Sequence, residues 1–138
     1  MTTADSTHGN TEPPLSAALR ACARGIYPVE AGVELLIDHA TFLRRHDFTT
    51  CFVHIGTSTI NKVELAEIDW PATITALDTG QLPCSGGENR VLRLAASLAD
   101  GLPVSLRDTI TGIDDHNVTL LVKAVLHASG QRPSPETP

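Results

Sequence analysis

The fold class is clearest in residues 85–101, which read SGGENRVLRLAASLADG. Ser85 and Glu88 have the spacing of a capping box, in which each side chain accepts a hydrogen bond from the other residue's backbone N–H. Apolar residues then recur every three or four positions, and Gly101 follows the last of them, as is common after a helix C-terminus. The stretch therefore predicts a helix over residues 86–100, and we expect a mainly α-helical domain.

The same two signals predict the other helices, because an apolar residue recurs every three or four positions and a capping residue, proline or glycine marks the ends. These helices are expected at residues 15–24, 28–46, 70–79, 105–111 and 115–129. The short connections that separate them favour neighbours that fold back on one another. The sequence thus predicts a compact bundle of about five or six helices.

Residues 49–68 are open to two interpretations. Residues 49–55 are rich in β-branched and aromatic side chains, and residues 63–68 alternate apolar and acidic side chains with the period of a strand. A small β-hairpin of these segments would need helices packed on one face, because two strands alone are only marginally stable in water. If residues 63–68 are helical instead, the domain is entirely α-helical.

The composition predicts one folded domain between two disordered ends. The chain has 138 residues, of which 41% are hydrophobic and 19% charged, and this balance excludes an extended disordered polymer. Residues 1–14 are small and polar and residues 131–138 are rich in proline, which leaves a single helical domain over residues 15–130. No apolar run has the length of a membrane span, and the N-terminus lacks the pattern of a signal peptide. We therefore expect a cytoplasmic protein with no membrane partner.

The charge argues against nucleic acid as a partner. The chain has 16 acidic and 10 basic residues, a net charge of -6, whereas binding to nucleic acid depends on a basic surface. Helices 105–111 and 115–129 have the lengths of a helix-turn-helix, but the second would present Asp114 and Asp115 to the phosphates. We therefore expect this pair of helices to pack into the core. A transcription regulator or antitoxin-like component is the third function considered.

The cysteines and histidines predict neither a metal nor a cofactor site. Three cysteines without a C-x-x-C pair fit neither a disulfide framework nor a zinc ribbon. They are expected to be small core residues or inert thiols, of which Cys84 is the one to test for reactivity. His39 and His46 could share a helix face, but their spacing of seven is not that of a helical metal-ligand pair. A catalytic pairing of Cys84 with His54 or His116 has no local support.

The start of helix 86–100 is the candidate ligand site. Its Ser-Gly-Gly-Glu sequence is similar to the signature loop of ABC-type ATPases, where such a turn contacts a nucleotide phosphate. Free N–H groups and the helix dipole favour an anion at any helix start. However, the chain has no phosphate-binding G-x-x-x-x-G-K-[ST] sequence. We expect a helix cap first, and as the alternative an anion site formed by Ser85, Gly86, Gly87, Glu88 and Arg90.

Three segments of the chain resemble a family of small actinobacterial proteins. They are ACARGIY at residues 21–27, LPCSGGE at residues 82–88, and LRD with GIDD within residues 106–115. The resemblance covers about residues 15–130. It implies a small cytoplasmic domain and brings no catalytic residues to this chain.

The sequence favours the hypothesis of a non-enzymatic helical domain that acts through protein–protein interaction or self-association. The lack of a catalytic motif, the acidity and the large apolar content of so short a chain support this hypothesis. The alternative is a small enzyme or a domain that binds an anion or phosphate ligand through Ser85–Arg90.

Overall fold

The computed structural model describes residues 13–131. In chain order, its elements are α1 (Pro14–Ala23), α2 (Tyr27–His39), a short 3₁₀-helix (Phe42–Arg44), α3 (His46–Phe52), β1 (Val53–Thr57), β2 (Glu64–Ile68), α4 (Trp70–Thr79), α5 (Gly86–Asp100), α6 (Leu106–Ile110) and α7 (Asp115–Ala128). The fold is mainly α-helical with a small two-stranded antiparallel sheet, as predicted. The predicted disordered ends lie outside the described residues, except that Pro13, Pro14 and Gln131 are described and α1 begins at Pro14.

Helix α2 is the centre of the packing, since it contacts both α5 and α7. The approach to α5 is close at Gly32, where a Cβ would lie 2.7 Å from the carbonyl oxygen of Ala95 and 2.7 Å from the Cβ of Ala99. No side chain fits there, so glycine permits this helix crossing. Helix α5 contributes five buried residues to the core: Val91, Leu92, Leu94, Ala95 and Ala96.

Two helices begin and end where their caps predict. Ser85 and Glu88 form the predicted capping box of α5, and Gly101 adopts the left-handed conformation after its last residue, with φ 70°. Asp69 accepts a hydrogen bond from Ala72 N–H at 3.1 Å, and α4 begins at Trp70. Each of these ends depends on residues within four positions of one another, which is why the sequence is sufficient to predict them.

The predicted helix over residues 28–46 is wrong at its C-terminal end. Helix α2 ends at His39, because Ala40 adopts a left-handed φ of 74° while its N–H donates to the carbonyl of Leu36. The chain then turns through the 3₁₀-helix, and the side chain of Phe42 becomes completely buried. Burial of this large ring stabilises the turn over a longer helix.

The predicted strand over residues 49–55 is helical in its first half. Residues His46–Phe52 form α3, and β1 begins only at Val53. The rings of Phe48 and Phe52 lie 5.5 Å apart, and the ring of Phe48 lies 5.4 Å from that of Phe42. A spacing of four brings two rings together on a helix, and this aromatic packing outweighs the strand propensity of the intervening residues.

The hairpin pairs β1 with β2 in antiparallel register, from Val53 opposite Ile68 to Thr57 opposite Glu64. Val53, Ala66 and Ile68 are buried. Helix α1 packs against β2 and α3 contacts β1. The helices thus give the hairpin the cover that two isolated strands lack.

Candidate functional site

The start of α5 has the hydrogen bonds of a complete helix cap. Ser85 N–H donates to Oε1 of Glu88 at 2.8 Å, and Glu88 N–H donates to Oγ of Ser85 at 3.1 Å. The Glu88 carboxylate therefore already lies at the positive end of the helix dipole. The backbone N–H groups of Gly86 and Gly87 are the donors that this cap leaves for any bound anion.

The side chain of Arg90 brings a positive charge to the same helix start. A Cβ built on Gly86 would lie 3.3 Å from Nη1 of Arg90, and one built on Gly112 would lie 3.6 Å from its Cζ. The guanidinium therefore lies between the first turn of α5 and the turn that precedes α7. The five predicted residues are brought together, but Glu88 and Arg90 carry opposite charges, and the anion-binding role stays a prediction.

Cys84 precedes this cap and is half-buried. Burial raises the pKa of its thiol, and the negative charge of Glu88 raises it further, while Arg45 and Arg93 oppose the shift. A raised pKa keeps the sulfur protonated at neutral pH, and the thiolate is the reactive form of cysteine. The local electrostatics thus make Cys84 a weaker nucleophile than a free thiol.

The histidines that invited a metal hypothesis lie on different elements. His39 is the last residue of α2, whereas His46 is the first residue of α3, so the two histidines do not share a helix face. Within residues 13–131, no group of three or more His, Cys, Asp or Glu side chains is placed to hold a metal ion.

Helix α7 presents an apolar face that the rest of the described chain does not cover. Ala124 is buried against the domain, whereas Val118, Val122, Val125 and Leu126 are 41%, 52%, 49% and 43% exposed. Their spacing places them on one side of the helix. We call these four residues the outer α7 face. Our expectation that the last two helices pack into the core is wrong for this face.

Polar contacts on the other side of α7 fix its rotation. His127 Nε2 lies 2.6 Å from Oε1 of Glu30, and Lys123 Nζ donates to Oδ2 of Asp38 at 3.0 Å. The ring of Tyr27 meets that of His127 edge-on, with the centroids 6.0 Å apart. The partner residues in these three contacts all belong to α2. Because these contacts hold one side of α7 on α2, the outer α7 face is directed away from the domain.

The charge pattern along α7 is uneven. Asp114 caps the helix by accepting a hydrogen bond from Asn117 N–H at 2.8 Å, and Asp115 follows it in the first turn. Residues 116–131 then contain no Asp or Glu, in a chain that has 16 of them. The outer α7 face thus combines apolar side chains with a stretch of α7 that contains no carboxylate beyond its first turn.

The signal for this face was present in the sequence. Helix α7 has half-buried apolar residues on its inner side, and these are Leu120, Leu121 and Ala128. It also has the four apolar residues of its outer face, so it is apolar around most of its circumference. A surface helix needs only one apolar stripe to pack on a domain, and a second stripe indicates a second contact.

None of the described helices combines the length and apolarity needed to cross a bilayer, and the longest, α5, has 15 residues.

The comparisons with known proteins do not indicate a function for this chain. The resemblance to small actinobacterial proteins stays a prediction. No family model matches the chain, and no curated protein or solved structure is significantly similar to it.

Proposed function

We propose that this protein is a non-enzymatic cytoplasmic domain that acts by self-association, with the outer α7 face as its contact surface. The observation that carries the proposal is the exposure of four large apolar side chains on one side of a helix whose opposite side is held on α2. Large contiguous patches of exposed apolar side chains are uncommon on monomers and mark contact sites.

The spacing along α7 suits a second copy of the same helix. Val118, Val122 and Val125 are separated by four and three residues, which is the spacing of a coiled-coil seam. In an antiparallel pair related by a two-fold axis near Val122, Val118 of each copy faces Val125 of the other. Such an interface is self-complementary, as a two-fold dimer requires.

The charge pattern of α7 permits a second copy to dock at this face. Two molecules that each carry a net charge of -6 repel one another over most of their surfaces. Residues 116–131 contribute no carboxylate, so two copies that meet through α7 place their acidic groups away from the contact. The same reasoning disfavours nucleic acid, because Asp114 and Asp115 stand at the exposed start of this helix.

Sedimentation equilibrium tests the proposal. The wild-type protein is expected to be a dimer, and Val122→Asp is expected to be a monomer because it places two carboxylates at the centre of the apolar contact. Thr75→Asp is the matched control, since it adds the same charge at an exposed position of α4 and should leave the dimer unchanged. A wild-type protein that is monomeric at every concentration, or a Val122→Asp protein that remains dimeric, contradicts the proposal.

The second candidate function is a small enzyme or anion-binding domain that uses Ser85, Gly86, Gly87, Glu88 and Arg90. The position of the Arg90 guanidinium beside Gly86 is the observation that favours it. A panel of nucleotides and sugar phosphates should then shift the amide resonances of Gly86 and Gly87. If no member of the panel shifts them, this candidate fails.

A further inference from the structure

A cleft of about 590 Å³ opens between α1, β2 and the junction of β2 with α4, with the end of α5 at its rim. Its volume lies within the range of small-molecule sites, roughly 300–1,000 Å³. Its lining residues include neither the outer α7 face nor the start of α5. The cleft is therefore distinct from the surface on which the proposed function depends.

The floor of the cleft is apolar. Leu19 and Val33 line it from α1 and α2, Ile68 lines it from β2, and Trp70 lines it from the start of α4. All four side chains are buried, and Trp70 is 7% exposed. An occupant would therefore place a hydrocarbon group here, because burial of apolar surface is the main source of affinity in such a floor.

The rim of the cleft is acidic. Glu67, Asp69 and Asp100 contribute three carboxylates, and no Lys or Arg is among the lining residues. Asp69 is engaged, because one oxygen caps α4 and the other lies 3.4 Å from Nε2 of His54. Glu67 and Asp100 are exposed and form no ion pair with any residue between 13 and 131. Walls of low dielectric and a single sign of charge concentrate a negative potential in a cleft.

The thiol of Cys22 lies beside this acidic rim. Its Sγ lies 4.0 Å from Oε1 of Glu67, within reach of a weak hydrogen bond. Burial raises the pKa of the thiol, and the charge of Glu67 raises it further. A second negative charge is thus disfavoured in the cleft, which argues against an anionic occupant.

From the apolar floor and the acidic rim, we propose that the cleft binds a small organic cation, an ammonium group on a hydrocarbon chain. The chain covers the floor at Trp70, and the ammonium lies at the rim between Glu67 and Asp100. Charge complementarity selects this class over carboxylates and phosphates. Metal ions are disfavoured because no cluster of ligating side chains suited to them is found in the described part of the chain.

The experiment uses Trp70 as the reporter, since it is the single tryptophan of the chain. Hexylammonium, hexanoate and 1-hexanol share one hydrocarbon chain and differ in charge, and none of them absorbs near tryptophan. Hexylammonium is expected to change the Trp70 emission saturably, 1-hexanol more weakly and hexanoate not at all. Added salt should weaken the binding of hexylammonium and not that of 1-hexanol.

Variants of the rim complete the test. Glu67→Gln and Asp100→Asn should each lower the affinity for hexylammonium by roughly twofold to fivefold, the size of one exposed ion pair. Glu64→Gln is the matched control, because Glu64 is an exposed acid of the same strand outside the cleft. Circular dichroism checks that each variant is folded. Asp69 is left intact because it caps α4.

Three outcomes overturn the proposal: hexylammonium leaves the emission unchanged, hexanoate binds as well as hexylammonium, or the two rim variants bind hexylammonium as the wild type does. The result is independent of self-association. Val122→Asp, which lies outside the cleft, should bind hexylammonium with unchanged affinity.

Discussion

Helices α5 and α7 have similar lengths and similar apolar periodicity but lie in different environments. They have 15 and 14 residues, and each begins with a side-chain cap, Ser85 in α5 and Asp114 in α7. In α5, Leu92 is completely buried, whereas in α7 Leu126 is 43% exposed. Apolar periodicity therefore predicts that a helix forms, while the surface offered by the rest of the domain decides which apolar residues are covered. The apolar residues of α7 that the domain does not cover are available to a second molecule.

The comparison is tested most strongly by truncating one leucine in each helix. Leu92→Ala should lower the free energy of unfolding by about 3 kcal/mol, because it leaves a cavity in the core. Leu126→Ala should change it by less than about 0.5 kcal/mol, as expected at an exposed site. Urea denaturation of both variants in the Val122→Asp background measures the two costs without a contribution from dimerisation. Equal costs would mean that α7 is packed as tightly as α5.

The close approach of α2 to α5 predicts a second, smaller effect. Gly32→Ala should destabilise the protein by about 2 kcal/mol, because the new Cβ meets a backbone oxygen that cannot move independently. Gly87→Ala is the control, since a Cβ there meets nothing within 4 Å and alanine is the better helix former. Thermal unfolding of the pair separates the clash from the helix propensity. A Gly32→Ala protein as stable as the Gly87→Ala protein would contradict a clash at this helix crossing.

The N-terminal caps of α5 and α7 should contribute equally to the free energy of unfolding, although the apolar faces of the two helices differ in burial. Ser85→Ala and Asp114→Ala each remove a side-chain acceptor for a backbone N–H, at a cost of about 1 kcal/mol. Ser85→Asp should restore the stability that Ser85→Ala loses, because aspartate also caps helices well. Guanidinium denaturation gives these values. A cap effect confined to α5 would indicate that the first turn of α7 is frayed.

The smallest expected effect is a pH dependence at His39, where the end of α2 faces the starts of α5 and α7. Burial lowers the pKa of His39, and His116 lowers it too, while Glu88 and Asp114 act in the opposite direction. The unfolded chain therefore binds more protons than the folded one below about pH 6.5, and stability falls as the pH drops through that value.

His39→Leu should remove this part of the pH profile. Its Nδ1 atom is buried with no hydrogen-bond partner among the described residues, so the substitution should cost little at pH 8. Stability measured between pH 8 and pH 5 for both proteins isolates the contribution of His39, because the other histidines are common to both. Parallel profiles would show that His39 does not titrate differently in the folded state.

The features that could be predicted from the sequence are local ones. The cap at Ser85 and the cap at Asp69 depend on neighbouring residues, and both are confirmed. Helix α3 could not be predicted in this way, because the burial of Phe48 against Phe42 is decided by the turn that precedes it. The spacing of Phe48 and Phe52 was the available sign of a helix.

The cleft could not be predicted from the sequence either. Its floor and rim combine Leu19 of α1 with Glu67 of β2, Trp70 of α4 and Asp100 at the end of α5. No motif joins positions so far apart in the chain, and it is the packing of α1 on β2 and of α4 on α5 that brings them together. Periodicity identifies each element but carries no information about which elements enclose a space between them.

The contacts between α2 and α7 have a consequence for how the protein is made. Lys123 pairs with Asp38 across 85 positions of the chain, and His127 with Glu30 across 97. The ribosome synthesises those residues at roughly five to twenty residues per second, and until it has done so α2 lacks the helix that covers it. Helix α7 therefore completes the packing around α2, and a nascent chain released before α7 is made keeps an apolar surface of α2 open to aggregation.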